Sequence, residues 1–431
     1  MLAIVGLITI LLVLYLILSK RMTTMMALIV VPMIACVVVG EGAQLTSFIT
    51  SGINSVAATG TMFIFAVLFF GLMSDTGTFE RVVNKIISLI GTNPIKVCVG
   101  TFVITLLTHL DGSGATTFLI TVPAMLPIYQ KLKMKPQVLA TIVAMGAGTM
   151  NLVPWGGPTI RAATALEVSL TDLYNPMIVP QICGLVAGLA ITVWFGVREK
   201  RRLGIALEHV DITPAPLSEE EAALRRPKLF WFNLLLIIAT IVCLVVAVLP
   251  PAGCFMAATV IALLVNYPNT KLQSKLIDSH AEAAMMMAST LFAAGVFTGI
   301  MSGSGMLTAM ADGLVNILPS FIASRLALLL GIFSMPLSLL FDPDSFYYAV
   351  LPVLAQAGEA VGIPALAMAR AAICGQITVG FPISPLTPST FLLIGLSGVD
   401  LGDHQKHSFI PLWIVSLVIV FMAVIMGQIP V

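Results

Sequence analysis

Residues 109–118 read HLDGSGATTF and place an aspartate, Asp111, between the apolar runs TFVITLL and FLITVPAMLPIY. A charge at bilayer depth costs several kcal/mol, so it is rare, faces the protein interior and marks a functional site by default. Three further places in apolar surroundings share this punctuation: NLVPWGGPT (151–159), FDPDS (341–345) and FPISPLTPST (381–390). Non-helical backbone at membrane depth is tolerated only where it is buried in protein or lines a polar cavity. Half-helices that start after such breaks present free N–H groups and a positive dipole end, which suit carboxylate or phosphate oxygens.

The residues around the breaks supply the matching groups. Ser113, Thr116, Thr117, Asn151, Thr159, Ser384, Thr387, Ser389 and Thr390 offer polar side chains, while Gly112, Gly114, Gly156 and Gly157 allow close approach to the backbone. The set reads as a binding site for an oxygen-rich anion. Arg161, in the first turn after a break, and Arg370, inside MARAAICG, are guanidinium groups in apolar surroundings. Each needs an anion, either the ligand or an internal aspartate; for Arg370 the internal option is Asp342 or Asp344. Asp111, Asp342 and Asp344 are the candidate proton- or metal-coupling acids, and neighbouring carboxylates titrate as a coupled set. A plainer reading stands beside this one. Asp342 before Pro343 fits a helix N-cap with proline at N1, and Ser113 fits the cap of its own arm. Asp172 and Asp403 read as structural, His404 and His407 as a wetted cytoplasmic edge, and Arg325 as a snorkelling side chain.

The elements that must position these residues are membrane helices. The chain of 431 residues is 58% hydrophobic and 10% charged, with mean hydropathy +1.06, the composition of a polytopic membrane protein. A net charge of +1 points to no nucleic-acid partner. The six cysteines stand singly in apolar runs and read as small buried hydrophobes with no disulfide or metal role. The first apolar run ends at Lys20-Arg21 and reads as a retained transmembrane helix.

Apolar segments fall near 2–19, 22–40, 57–75, 95–131 (broken at Asp111), 136–171 (broken at Pro154 to Pro158) and 176–197. After a charged stretch they recur near 229–249, 252–268, 284–303, 320–358 (broken at Asp342), 364–398 (broken at Pro382 to Pro388) and 408–430. GLMSDTG (71–77) matches GIMSGSG (299–305), Asp111 falls on Asp342, Pro154 on Pro385, and Val168-x-Leu170-x-Asp172 on Val399-x-Leu401-x-Asp403. The expected fold is all-α, with two repeats, 1–197 and 229–431, joined by a cytoplasmic linker, 198–228. Each repeat has about five transmembrane helices, one of them broken, plus a re-entrant helical hairpin. An odd number of crossings inverts the second repeat, the plan of secondary transporters. With the linker cytoplasmic, all of the 21 Lys and Arg residues except Arg161, Arg325 and Arg370 fall in cytoplasmic loops, and both termini face outward. Ser218 followed by Glu219 to Glu221 reads as a capping box opening a surface helix.

Two other classes fit less well. An intramembrane hydrolase would use Asp75-Thr76-Gly77 and Asp111 as paired acids, yet Asp75 has Gly303 as its repeat partner, and neither zinc spacing nor a serine elbow is present. A channel needs no pair of inverted hairpins.

LDGSGATTFLIT, NLVPWGGPTIRAA and SPLTPSTFLLIGLSGVDLGDHQ resemble the citrate–metal:proton symporter family of the ion-transporter superfamily, and the similarity runs nearly end to end. The resemblance implies a plasma-membrane carrier that takes up citrate as a complex with a divalent metal, Mg²⁺-like or Ca²⁺-like, together with protons. The metal then belongs to the substrate, and no separate cofactor is implied. It also implies two scaffold regions, two hairpin-bearing transport regions, elevator-like displacement and, often, a homodimer. The alternative is a sodium-coupled di- or tricarboxylate carrier of the same superfamily. Those usually carry Ser-Asn-Thr at both hairpin tips, where this chain has Gly-Ser-Gly-Ala-Thr-Thr and Asp-Pro-Asp-Ser. Gluconate-like and C4-dicarboxylate carriers share the layout.

Overall fold

In a computed structural model, which describes residues 1–19, 21–204, 219–246, 248–317 and 319–431, the regular structure is helical. The first half runs α1 (Leu2–Leu18), α2 (Thr24–Val38), α3 (Leu45–Asp75), α4 (Thr78–Ile90), α5 (Pro94–Thr108), α6 (Gly114–Lys131), α7 (Pro136–Met150), α8 (Gly157–Ala165), α9 (Leu170–Tyr174) and α10 (Ile178–Leu203). A short α11 (Glu219–Leu224) belongs to the linker; Ser218, the expected capping residue, lies outside the described residues. The second half runs α12 (Phe230–Val246), α13 (Pro251–Asn266), α14 (Thr270–Gly303), α15 (Met306–Ile317), α16 (Ser320–Ala323), α17 (Leu326–Leu337), α18 (Leu351–Ala360), α19 (Ala365–Ile373), α20 (Pro388–Ser397) and α21 (Leu401–Ile425). Among the described residues, six helical stretches are long and apolar enough to cross a membrane. The outer faces of α1, α10 and α12 expose Leu, Ile, Val and Trp side chains, as a lipid-facing surface requires.

Equivalent helices of the two halves exchange equivalent partners. α3 packs on α14; α3 meets α13 as α14 meets α2; α1 meets α15 as α12 meets α4; α5 meets α10 as α17 meets α21. The α3–α14 crossing is backbone on backbone, because a Cβ at Gly52 would overlap the Gly295 carbonyl and one at Gly299 would overlap that of Phe48. Small residues at such a crossing let dispersion contacts form where lipid gives helices no hydrophobic reason to associate. The matched motifs 71–77 and 299–305 make the same turn in each half, with Gly77 and Gly305 both at φ +75°.

Three sequence expectations need correction here. The break in the second half starts at Cys374, earlier than Phe381: α19 ends at Ile373, Ile377 takes φ +51°, and the Ser338 hydroxyl accepts from the Ile377 N–H at 2.9 Å. His404 is no wetted edge. It is fully buried, with Nε2 2.9 Å from the Pro382 carbonyl and Nδ1 3.2 Å from Ser408 Oγ, so it ties α21 to the second break. His407 lies 2.7 Å from Thr141 Oγ1 and stacks on Phe195. All six cysteines are free, yet Cys183 and Cys243 are only half-buried, and the sulfurs of Cys243 and Cys254 lie 3.0 Å apart, so these two do not stand singly.

Candidate functional site

The first hairpin is α5 and α6 folded on one another, with Thr108 Oγ1 2.9 Å from Thr121 Oγ1 across the arms. Its tip turns because Gly112 takes φ +72°, a conformation that favours glycine. Asp111 Oδ1 accepts from the Ser113 N–H at 2.8 Å; Ser113 Oγ then accepts from the Thr116 N–H at 3.3 Å and opens α6. The Thr116 hydroxyl donates to Ser113 Oγ at 3.1 Å, and the Thr117 hydroxyl donates to the Ser113 carbonyl at 2.7 Å. The tip is held from both sides. Trp155 donates its indole N–H to the Leu110 carbonyl at 2.7 Å, which brings Gly156 against Gly112. On the other flank Gly114 packs against Phe381 and Ser389 so closely that any side chain there would displace them.

The second tip repeats the device with more charge. Asp342 Oδ1 accepts from the N–H groups of Asp344 and Ser345, each at 3.1 Å, and its other oxygen takes the Ser345 hydroxyl. This capping leaves Asp344 to project toward α8, where Arg161 donates from Nε to Asp344 Oδ1 at 2.7 Å. The pair is nearly buried, with side chains 12% and 16% exposed. Gly157 makes room for the guanidinium, since a Cβ there would lie 2.7 Å from the Arg161 side-chain nitrogen. Phe63, Ile160, Thr290, Leu291 and Tyr348 complete a cleft around Arg161 and Gly157. Its free space, about 10 Å³, is that of roughly one water, so a citrate-sized ligand enters only if the tips move.

The two breaks touch directly. Asn151 donates its side-chain amide to the Ile377 carbonyl at 2.8 Å, and Gly148 leaves space for the backbone of Val379. Asp111, Ser113, Thr116, Thr117, Gly156 and Ser389 therefore gather at the first tip, Asp342, Asp344, Arg161 and Gly157 at the second, and Asn151 joins the breaks. Thr387, Thr390 and Ser384 are engaged elsewhere. The Thr387 and Thr390 hydroxyls both donate to the Phe381 carbonyl, at 2.7 and 2.8 Å, and Ser384 Oγ accepts from the Leu386 N–H at 3.2 Å; in this conformation they shape the second break. Thr159 is buried with its hydroxyl unpartnered. Arg370 is the correction. Its guanidinium donates to the Asp172 backbone carbonyl at 2.7 Å, and Asp344 is taken by Arg161, so the ion pair of Arg370 with Asp342 or Asp344 is not formed. Asp172 and Asp403 sit in the first turns of α9 and α21, where a carboxylate opposes the positive end of the helix dipole.

Sequence reading passed over several groups here. His109 is fully buried, with Nδ1 2.7 Å from Thr117 Oγ1, Nε2 unpartnered, and its ring stacked on Phe381. Its signal was present: a histidine two residues before Asp111, in the same apolar run. Tyr347 donates to the Gln376 carbonyl at 2.7 Å, and Ser338 donates to the Gln376 side chain at 2.7 Å, which secures the second tip to the second break.

An all-helical membrane chain with two capped acidic tips, each seated against a mid-chain break, is of the transporter class. The chain belongs to the citrate transporter (CitMHS) family, whose pattern it matches over residues 7–375. It is 43% identical over 97% of its length, and 97% of the relative's, to a citrate transporter of Bacillus subtilis (strain 168). It is 41% identical, over 98% of each chain, to a Mg(2+)/citrate complex secondary transporter of the same organism. Among solved structures, the YdaH transporter of Alcanivorax borkumensis shares the fold, with a TM-score of 0.63 at 14% identity over 91% of this chain and 90% of that one.

Proposed function

We propose that this carrier takes up citrate as a complex with a divalent metal, by proton symport. The observation that carries the reading is the charge at the tips. Among the described residues Arg161 is the cation there and already has Asp344 as its partner, while Asp111 and Asp342 add two more carboxylates. Free citrate brings about three negative charges near neutral pH, and moving it into such a site without matching cations is prohibitive. A divalent metal held by citrate's own carboxylates and hydroxyl reduces the cargo to about −1, and hard cations of this kind take oxygen ligands such as Asp342 and Asp344. Binding then exchanges partners: Arg161 turns from Asp344 to a citrate carboxylate, and Asp344 turns to the metal or to a coupling proton. The kinship with a relative named for the Mg(2+)/citrate complex supports the same choice.

The reciprocal packing of the two halves supports two repeats, 1–197 and 229–431, around this site; an odd number of crossings in each would invert the second, and the Lys and Arg distribution favours residues 198–228 cytoplasmic and both termini outside. Alternating access follows if the tips and breaks move as one body against α3 and α14, in the elevator-like manner. Counterflow of labelled citrate in proteoliposomes, with metal and pH varied independently, tests the proposal. It requires counterflow to rise with added Mg²⁺ or Ca²⁺ at constant citrate, and an imposed inward proton gradient to drive accumulation.

A further inference from the structure

The cytoplasmic turn between α3 and α4 carries charges that citrate transport does not use. α4, TFERVVNKIISLI, is strongly amphipathic, with Phe79, Val83 and Ile90 buried on one side and Arg81, Asn84, Lys85 and Ser88 on the other. The linker is strapped across the turn: the Arg226 N–H donates to the Thr76 carbonyl at 3.0 Å, Arg81 donates to the Pro227 carbonyl at 3.1 Å, and Arg225 pairs with Glu80. Between strap and helix lies a cavity of about 320 Å³ lined by Arg81, Asn84, Arg225, Arg226 and Phe230, among others. That volume falls at the lower end of small-ligand clefts, roughly 300–1,000 Å³.

The repeat supplies an internal control. The matching turn, 303–305, leads into α15, MLTAMADGLVNI, which has no Lys or Arg and one acid, Asp312, where α4 has Asn84. A packing requirement of the fold would recur in both junctions. The basic groups of α4 do not: Ala309 and Gly313 stand where α4 has Arg81 and Lys85, so these two answer to something found at one junction only, while Arg225 and Arg226 come from the linker, which has no counterpart in the repeat. Arg81 lies over the Phe230 ring at 4.7 Å and is exposed; Trp231, 69% exposed, stands beside Phe230 as an interfacial aromatic. Three guanidinium groups against Glu80, and Asp75 near Arg225, still leave the cleft net positive. A basic cleft on an amphipathic helix next to an exposed Trp matches the anionic headgroups of the cytoplasmic leaflet.

We propose that this cleft binds the phosphate of an anionic phospholipid and so pins α4 and the linker to the inner leaflet. The assignment to that leaflet rests on the orientation proposed above; the binding itself does not depend on citrate transport. The test is native mass spectrometry of the full-length protein released from detergent containing equal phosphatidylglycerol and phosphatidylcholine. Phosphatidylglycerol should be retained preferentially. Arg81→Gln should lower that retention about fivefold, the effect of removing one basic group at a lipid surface. Asn84→Glu, which breaks no hydrogen bond of the strap, should lower it as much in a protein with unchanged melting temperature. Equal retention of the two lipids, or retention indifferent to both substitutions, would overturn the proposal. So would loss of phosphatidylglycerol to millimolar inorganic phosphate, which would make the cleft a site for the free anion. Because no arm measures citrate flux, failure here leaves the transport reading standing, and failure of transport leaves this result unaffected.

Discussion

Arg161→Lys separates a substrate-binding guanidinium from a structural one. Arg161 meets Asp344 through Nε at 2.7 Å in a nearly buried pair, and its side chain lines the cleft beside Gly157. Lysine keeps the charge, so Asp344 is not left as an uncompensated buried carboxylate, a loss that would cost about 3–5 kcal/mol of stability. What lysine lacks is the planar pair of donors that grips a carboxylate. Losing one charge-assisted hydrogen bond to the substrate costs about 1–3 kcal/mol, which is about 5- to 150-fold in apparent affinity. The assay is the concentration dependence of initial citrate uptake at saturating Mg²⁺, with the amount of protein in the membrane measured in parallel. The partner exchange proposed for Arg161 requires the affinity to fall in that range while protein level holds. Unchanged affinity with lowered protein level would show that Arg161 serves only to hold α8 to the second tip.

Asp111→Asn retains a carbonyl oxygen to accept from Ser113 but removes a titratable group, so citrate exchange should persist while accumulation driven by a pH gradient is lost; normal pH-driven accumulation would return Asp111 to capping alone. Gly295→Leu forces a side chain into the Gly52 carbonyl at the α3–α14 crossing and should destabilise the protein by about 1–3 kcal/mol, read as a lower melting temperature; an unchanged value would mean the crossing relaxes freely. For topology, Ala222→Cys should react with impermeant reagents from the cytoplasm only and Val431→Cys from outside only; both on one face would remove the inverted arrangement.

The tips were legible because aspartate, glycine and proline interrupt apolar runs where the chain turns, caps a helix or binds something polar, and Gly112, Ser113 and Asp342 take the turn and cap positions their types suggest. The start of the second break was not. Gly-Gln-Ile-Thr-Val-Gly (375–380) reads as a continuation of an apolar helix, and what unwinds it is tertiary: hydrogen bonds that tie residues 376 and 377 to Ser338, Tyr347 and Asn151. Pairing was equally hidden. Arg161 and Asp344 are 183 residues apart, and Arg370 is held by a backbone carbonyl, a partner that no side-chain pattern announces. His404 looked solvated because its neighbours Asp403, Gln405 and Lys406 are polar, yet it meets the Pro382 carbonyl, 22 residues upstream in the second break.

Whether the cargo is a metal–citrate complex decides the whole mechanism, and uptake by purified protein in liposomes during a chelator titration answers it. With total citrate held constant, a chelator that strips Mg²⁺ or Ca²⁺ would, in the proposed site, leave the carboxylates of Asp111, Asp342 and Asp344 facing a citrate of about three negative charges, with Arg161 the one cation described at the tips. Uptake should fall in proportion to the remaining complex and vanish when the complex is gone. Undiminished transport of metal-free citrate, with a sodium gradient supplying the driving force, would refute the metal-complex mechanism and favour a sodium-coupled carboxylate carrier.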